Sequence, residues 1–167
     1  MITICRAELK DAEDILALQK LAYQSEARLY NDWSLPPLRQ SLESLLEEFG
    51  ESVVLKAVSN GRIVGSVRAK ATLEVCAIGR LVVHPDFQGQ GIGSQLLKSI
   101  EVEFPEVSRY ELFTGSKSEA NIRLYQRHGY EISRTQRLSP AVLLVFLRKP
   151  LDFGGSCTYD FTYEKEV

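Results

Sequence analysis

Three glycines at alternate positions mark the segment whose chemistry is easiest to infer. Gly89, Gly91 and Gly93 lie between an apolar run that ends at Val83 and a stretch with helical periodicity. Glycine lets a backbone approach a ligand closely, and the first N–H groups of a helix lack partners and carry partial positive charge. The spacing therefore predicts a site for a phosphate-bearing ligand. A tight turn that binds nothing is the alternative interpretation.

Two common phosphate-binding motifs do not match this segment. The dinucleotide fingerprint has a third glycine at its sixth position, where counting from Gly89 gives Ser94 and counting from Gly91 gives Leu96. A P-loop has a lysine directly after its last glycine, and no glycine of this segment is followed by lysine. The residues therefore argue against NAD or ATP as the ligand.

The periodicity of apolar residues predicts the elements that must position this loop. The first half reads as a strand over 2–8, a helix capped by Asp11, a second helix from Pro37 to Gly50, and a hairpin turning at Asn60-Gly61. The second half reads as a strand over 73–83, a helix after the glycines, and a strand over 109–114. A helix opened by a Ser116/Glu119 capping box and a closing hairpin over 130–148 follow. This order predicts a mixed α/β domain.

Composition limits the class of protein. The chain has 167 residues, 44% of them hydrophobic, and a net charge of −2, which favours one globular domain and argues against a nucleic-acid partner. We expect no membrane span, because no apolar run approaches the roughly 20 residues required. The start of the chain does not resemble a signal peptide. Cys5, Cys76 and Cys157 show no metal-ligand spacing, so we expect a cytoplasmic protein with reduced thiols and no metal.

Two motifs carry a resemblance to a known family. Gln88-Gly89-Gln90-Gly91-Ile92-Gly93 has Gln first, Gly fourth and Gly sixth, which resembles the acyl-CoA pyrophosphate loop of the GNAT superfamily of acetyl-CoA-dependent N-acetyltransferases. Further on, Asn121, Tyr125 and Gly129-Tyr130 resemble the family's second motif. The resemblance covers 1–149 as a single domain. In the remaining 150–167, Tyr159, Phe161 and Tyr163 alternate with polar residues. They predict an extra strand, within the sheet or across a homodimer, with a disordered tail as the alternative.

The resemblance implies a fold and a set of site residues. The fold is a mostly antiparallel twisted sheet that splays between its fourth and fifth strands, with helices on both faces. The backbone of Leu81, Val82 and Val83 would pair with the pantetheine arm and supply the oxyanion donor. Asn121 would contact CoA, and Tyr125 would act as the general acid. The backbone amides that would bind the pyrophosphate are those of Gln88, Gly89, Gln90, Gly91, Ile92, Gly93 and Ser94.

The general base is the point at which this sequence departs from the family. An alkylamine has a pKa near 10.4, so the acceptor must lose a proton before it attacks. Many members place a glutamate four residues before Leu81, where this chain has Ala77. Glu74 is the nearest carboxylate, although alternation along a strand directs it away from the face of Ala77 unless a bulge intervenes. Water, Glu26 and Asp32 remain open alternatives.

The resemblance also implies a reaction. We expect transfer of an acetyl group from acetyl-CoA to a primary amine, by direct attack in a ternary complex and without a cysteine acyl-enzyme. An acyl-CoA-binding module that regulates a partner without catalysis is the alternative. Aromatic and acidic residues of the N-terminal helices would suit a cationic amine, of a small molecule or a peptide. They are Tyr23, Glu26, Tyr30, Asp32 and Trp33.

Overall fold

The computed structural model describes residues 1–151, which form one seven-stranded sheet flanked by helices on both faces. The strand order is β1-β2-β3-β4-β5-β7-β6. In chain order the elements are β1 (Thr3–Arg6), α1 (Ala12–Tyr30), α2 (Pro36–Arg39), α3 (Leu42–Glu51), β2 (Val53–Ser59), β3 (Arg62–Thr72), β4 (Val75–Val83), α4 (Ile92–Val102), β5 (Arg109–Gly115), α5 (Glu119–Arg127), β6 (Glu131–Ser139) and β7 (Val142–Pro150). The predicted α/β class is confirmed. The strand predicted around Tyr159 lies outside the described residues.

The N-terminal half confirms one local prediction and corrects another. Asn60 and Gly61 both have positive φ, 49° and 76°, and they turn β2 into β3 as the hairpin signal predicted. The single helix predicted from Pro37 to Gly50 is wrong, because Gln40 adopts an extended ψ of 133° that ends α2. Ser41 then caps a new helix, accepting a hydrogen bond from the Ser44 N–H at 3.1 Å.

Two predicted helix caps are also wrong. The Asp11 carboxylate does not cap α1; it accepts the Glu8 N–H and pairs with Lys56, each at 2.8 Å. The Ser116/Glu119 capping box does not form, because α5 begins at Glu119 with Ser118 as the preceding residue. Asp11 thus serves the turn before α1 and Lys56, and the predicted capping box was placed two residues too early for α5.

The sheet separates between β4 and β5, as the resemblance implied. These strands are parallel and pair only from Val75 with Arg109 to Ala77 with Glu111. Beyond that point β4 still pairs with β3 but bulges, since Arg80 and Leu81 together oppose Val67. Arg80 has a left-handed φ of 52°. A bulge bends its strand, and the edge of β4 that faces β5 is unpaired from Ile78 onward among the described residues.

Two apolar layers hold the helices on the sheet. On one face, Leu96, Leu97 and Ile100 of α4 are completely buried against the central strands. On the other face, Ile15 of α1 and Leu45 of α3 pack together. No helix within residues 1–151 has both the length and the apolar character that a membrane span requires.

A buried arginine connects the second layer to the sheet. Arg68 of β3 is 7% exposed. It donates to Gln19 at 3.0 Å and to Gln40 at 2.9 Å, and it pairs with Glu48. Burial lowers the pKa of Arg68 to about 10. Because breaking a buried pair leaves polar groups unsatisfied, this cluster fixes α1 and α3 over the sheet.

We expect Arg68→Met to lower the free energy of unfolding by about 3 kcal/mol, because the buried Gln19 loses its hydrogen-bond donor and the Glu48 carboxylate loses its ion-pair partner. Lys70→Met is the matched control on the same strand, since Lys70 pairs with Glu51 while both side chains are half exposed or more. That control should change stability by less than about 1 kcal/mol. Urea unfolding with an unchanged m-value measures both; equal midpoints would contradict the structural role of Arg68.

Candidate active site

A cavity of about 710 Å³ opens where β4 and β5 diverge. Its wall includes residues from α1, β4, β5, α5 and the glycine loop. The predicted site residues that line it are Leu81, Val82, Val83, Gln88, Gly89, Gly91, Ile92, Gly93, Ser94, Asn121 and Tyr125. Gln90 and Glu74 are not among the lining residues. The fold thus brings most of the expected cofactor residues to one cavity.

The glycine loop ends as the N-terminus of α4. Gly89 and Gly91 have φ values of 76° and 82°, and Gly91 is the residue that precedes the helix. The first backbone bond back into the loop is from the Gln95 N–H to the Gly91 carbonyl at 3.1 Å. Helix geometry leaves the N–H groups of the first turn without partners. These donors, on a helix with positive dipole at this end, suit the diphosphate of CoA.

Gly93 has a different role from its neighbours. Its φ is not left-handed, and a Cβ there would lie 3.5 Å from Leu124 and 3.9 Å from Val83, which is ordinary contact. Ser94 also faces the cavity, but its hydroxyl makes a 2.9 Å hydrogen bond with His128 Nε2. This bond orients the Ser94 hydroxyl toward His128, so we expect the Ser94 backbone N–H to be its main donor to a ligand. Sequence reasoning missed this contact, because Ser94 lies in α4 whereas His128 directly follows α5.

The unpaired edge of β4 offers peptide groups to the same cavity. Val82 and Val83 pair with Ser66 and Gly65 of β3 on one side only. Backbone N–H and C=O groups are strong donors and acceptors that require partners. An extended amide-containing chain can bind such an edge as an added strand would. The geometry therefore suits the pantetheine arm.

Asn121 and Tyr125 share one face of α5, as their spacing predicted, and both line the cavity. The Asn121 Nδ2 donates to Thr114 Oγ1 at 3.3 Å, which leaves the Asn121 carbonyl oxygen free to accept. Tyr125 is 7% exposed. Burial raises the pKa of its hydroxyl, so Tyr125 is protonated at neutral pH. A protonated phenol in the cavity is able to act as an acid.

Glu26 is the sole carboxylate among the described residues that line the cavity. It extends from α1 and accepts a hydrogen bond from the Ser118 hydroxyl. Ser118 also contacts the Tyr30 hydroxyl at 3.0 Å, and that hydroxyl accepts the Lys117 N–H at 2.8 Å. This network fixes the Glu26 carboxylate between α1 and the start of α5.

The structure does not bring Glu74 to the cavity. Glu74 precedes β4 and accepts a hydrogen bond from Ser108 at 3.1 Å. It lies at the opposite end of β4 from Val83, roughly 25–30 Å away at the usual rise of a strand. The bulge in β4 is at Arg80 and Leu81, too far along the strand to turn Glu74 round. Its position gives no support to a role as the base.

Other predicted neighbours also lie elsewhere. Asp32 accepts the Ser34 N–H at 2.9 Å, and Trp33 is 55% exposed; neither lines the cavity. Cys76 is completely buried, burial raises its pKa to about 12, and it too lies outside the cavity. Across residues 1–151, no three His, Cys, Asp or Glu side chains are grouped closely enough to hold a metal ion.

Arg80 is a cavity residue that sequence reasoning missed. It lines the cavity beside Tyr23 and Glu26. Its Nε is buried and has no hydrogen-bond partner among the described residues. The sequence shows an arginine within an apolar run, which reads as a solvent-facing strand residue. Only the bulge, with its left-handed φ, makes the position unusual.

Comparison with known proteins agrees with this geometry. The model of the acetyltransferase (GNAT) family matches residues 13–130. One relative is the UPF0157 protein YqkA of Bacillus subtilis, 26% identical over 80% of this chain but only 38% of its own length. The chain thus spans well under half of that relative. Another is the S-(2-succino)cysteine N-acetyltransferase of Bacillus subtilis, 27% identical over 85% of this chain and 92% of its own length.

Solved structures show the same fold. The ribosomal-protein-S18-alanine N-acetyltransferase from Escherichia coli superimposes with a TM-score of 0.78 at 21% identity, covering 95% of this chain and 99% of its own. The structure of YncA from Salmonella typhimurium with its cofactor acetyl-CoA gives a TM-score of 0.73 at 18% identity, covering 95% and 99%. With the family model matching most of the chain, this protein belongs to the GNAT family of acetyl-CoA-dependent acetyltransferases.

Proposed function

We propose that the protein transfers the acetyl group of acetyl-CoA to a primary amine by direct attack in a ternary complex. The observation that carries the proposal is the cavity between β4 and β5. It collects the unpaired edge of β4, the N-terminus of α4 and the protonated Tyr125 in one place. Acetyl-CoA supplies the activated thioester. Residues of this chain bind the cofactor, stabilise the developing oxyanion and transfer the protons.

The cofactor-binding groups divide by chemistry. The backbone N–H groups from Gln88 to Ser94 bind the diphosphate, with the α4 dipole adding to the attraction. The edge of β4 over 81–83 binds the pantetheine amides, and Asn121 accepts a further hydrogen bond through its free carbonyl oxygen. Gln90 is not among the residues that line the cavity, so a contribution from its backbone N–H rests on its place in the loop alone.

The reaction requires one proton to leave the amine and one to reach sulfur. The free amine attacks the thioester carbonyl carbon; a C–N bond forms, and the C–S bond breaks. A backbone N–H near Leu81–Val83 donates to the carbonyl oxygen as negative charge develops there. Tyr125 donates its proton to the departing sulfur. An ammonium acceptor first gives one proton to Glu26, the carboxylate at this cavity. The free amine then loses its second proton as the C–N bond forms, and that proton replaces the one that Tyr125 gives to sulfur.

The acceptor is proposed as an amine of either a small molecule or a peptide. One relative is named for S-(2-succino)cysteine and one structural neighbour for the alanine of ribosomal protein S18. A screen for acceptors therefore includes substituted cysteines, other amino acids, and peptides with a free N-terminal alanine. Acetyl-CoA binding with no turnover on any amine would overturn the catalytic proposal and leave an acyl-CoA-binding module.

We expect Gly91→Glu to weaken acetyl-CoA binding at least about tenfold, because it sets a negative charge beside the diphosphate. Gly61→Glu is the control: Gly61 has a similar left-handed φ of 76° but turns the β2–β3 hairpin outside the cavity. Both variants carry the same type of backbone strain, about 1–2 kcal/mol. Isothermal calorimetry measures affinity. If Gly91→Glu bound like Gly61→Glu, the loop would not hold the diphosphate.

We expect Tyr125→Phe to lower kcat roughly 100-fold with little change in acetyl-CoA affinity, because only the proton donor is lost. Tyr130→Phe is the control. Tyr130 packs against Tyr125 at 6.0 Å between ring centroids, and its own hydroxyl is buried and unbonded among residues 1–151. Steady-state kinetics should leave the control near wild type. Equal turnover in both variants would remove Tyr125 from the mechanism.

We expect Glu26→Gln to lower kcat/KM at pH 7 roughly 100-fold. The deficit should shrink as pH approaches the amine pKa near 10.4, since the acceptor then arrives already deprotonated. Asp32→Asn tests the other N-terminal carboxylate that the sequence left open as the base, and it should match wild type at every pH. A Glu26→Gln deficit that stayed constant with pH would point to a positioning role and reject the base assignment.

A further inference from the structure

The acceptor side of the cavity contains a guanidinium without a counter-ion. Arg80 lines the cavity, and its buried Nε has no hydrogen-bond partner within residues 1–151. None of the ion pairs among those residues involves Arg80. Its neighbour Arg68 is different, since two glutamines and a glutamate surround it. Arg80 is half-buried, and a buried N–H that lacks a partner is costly unless a ligand supplies one.

Arg80 adopts a backbone conformation that is unfavourable for an arginine. Its φ of 52° lies in the left-handed region, which is unfavourable for a residue with a Cβ. Such positions are enriched at ligand sites, where the surrounding structure enforces them. Here the β4 bulge enforces it. The bulge also places Arg80 directly before the Leu81–Val83 edge that is proposed to hold the thioester carbonyl.

The surroundings of Arg80 fit an anion. The Tyr23 hydroxyl is near both Arg80 and Glu26; burial raises the pKa of Tyr23, and the Arg80 charge opposes that rise. Tyr23 is therefore a neutral hydrogen-bond donor beside a cation. Arg68 is also close to Arg80, but Glu48 compensates its charge, so the cation available to an anion here is Arg80 itself. A planar guanidinium with an adjacent hydroxyl is well matched to a carboxylate, which it can bind through two parallel hydrogen bonds.

We infer that Arg80 and Tyr23 bind a carboxylate of the acceptor, so that the acceptor is an amine that also bears a carboxylate, such as an amino acid or amino-acid derivative. The inference rests on the proposed function and deepens it. The negative Glu26 then faces the ammonium group of the acceptor, and the positive Arg80 faces its carboxylate. A neutral or purely cationic amine would leave Arg80 unpaired.

The first test compares acceptors on the wild-type protein. Each of a set of amino acids, including substituted cysteines with a side-chain carboxylate, is measured against its α-amide and its decarboxylated amine. We expect kcat/KM to be roughly 10- to 100-fold higher for the carboxylate form. Some of these acceptors carry a second carboxylate on the side chain. If their α-amides are used as well as the parent acids, the side-chain carboxylate is the group that Arg80 and Tyr23 bind. Equal or better use of amines that carry no carboxylate would overturn the inference.

A binding readout separates this inference from the proposed function. The same acceptors are titrated by calorimetry into protein saturated with CoA. Selective binding of the carboxylate form without turnover would reject the catalytic proposal and keep the inference. Turnover without any preference for a carboxylate would keep the catalytic proposal and reject the inference. Neither binding nor turnover of any carboxylate-bearing amine would reject the inference.

The variants Arg80→Met and Arg80→Lys localise the effect. Both keep a side chain with a Cβ at the left-handed position, so backbone strain is matched. We expect Arg80→Met to raise the acceptor KM roughly 10- to 100-fold with an unchanged acetyl-CoA KM and no penalty on the amide acceptor, and Arg80→Lys to fall between. Arg109→Met, a half-exposed strand arginine paired with Glu111, is the control. Equal losses on carboxylate and amide acceptors would show that Arg80 is only structural.

Discussion

The separation of β4 from β5 after three residue pairs is the constraint on which the rest of the structure depends. A parallel pair that continued would satisfy every backbone group and leave no room for a ligand. Instead the pairing with β5 ends at Ala77, and β4 then bulges at Arg80 and Leu81 against β3, which bends the strand. The backbone groups of its free edge then face a cavity, and they need a partner. Cofactor binding at this place follows from incomplete sheet pairing more than from any one side chain.

A small hydrogen-bonded network connects α1 to the segment that leads into α5, beside the opening. Glu26, Ser118 and Tyr30 join α1 to the segment between β5 and α5. Gly115 allows this contact, because a Cβ at that position would overlap the Tyr30 side chain. The network holds α1 and α5 on opposite sides of the cavity. It also directs the Glu26 carboxylate inward, which connects packing to the proposed chemistry.

The sequence predicted those features of the site that depend on residues close together in the chain. The glycine loop, the face shared by Asn121 and Tyr125, and the hairpin at Asn60-Gly61 each depend on spacing within a few residues. Glu74 does not line the cavity, because it precedes β4 whereas the cavity opens along the other end of that strand. The bulge at Arg80 was missed because it arises from the pairing of two strands distant in sequence, and an arginine carries no signal for a positive φ.

Burial of Tyr125 resolves a conflict in the proposed chemistry. The acceptor must be deprotonated while the acid must keep its proton, and the usual pKa values of an alkylamine and a tyrosine, near 10.4 and 10, nearly coincide. Burial disfavours the phenolate and raises the pKa of Tyr125. The tyrosine therefore keeps its proton to a higher pH than a free tyrosine does. The apolar packing that holds α5 on the sheet thus also sets the protonation state that the reaction requires.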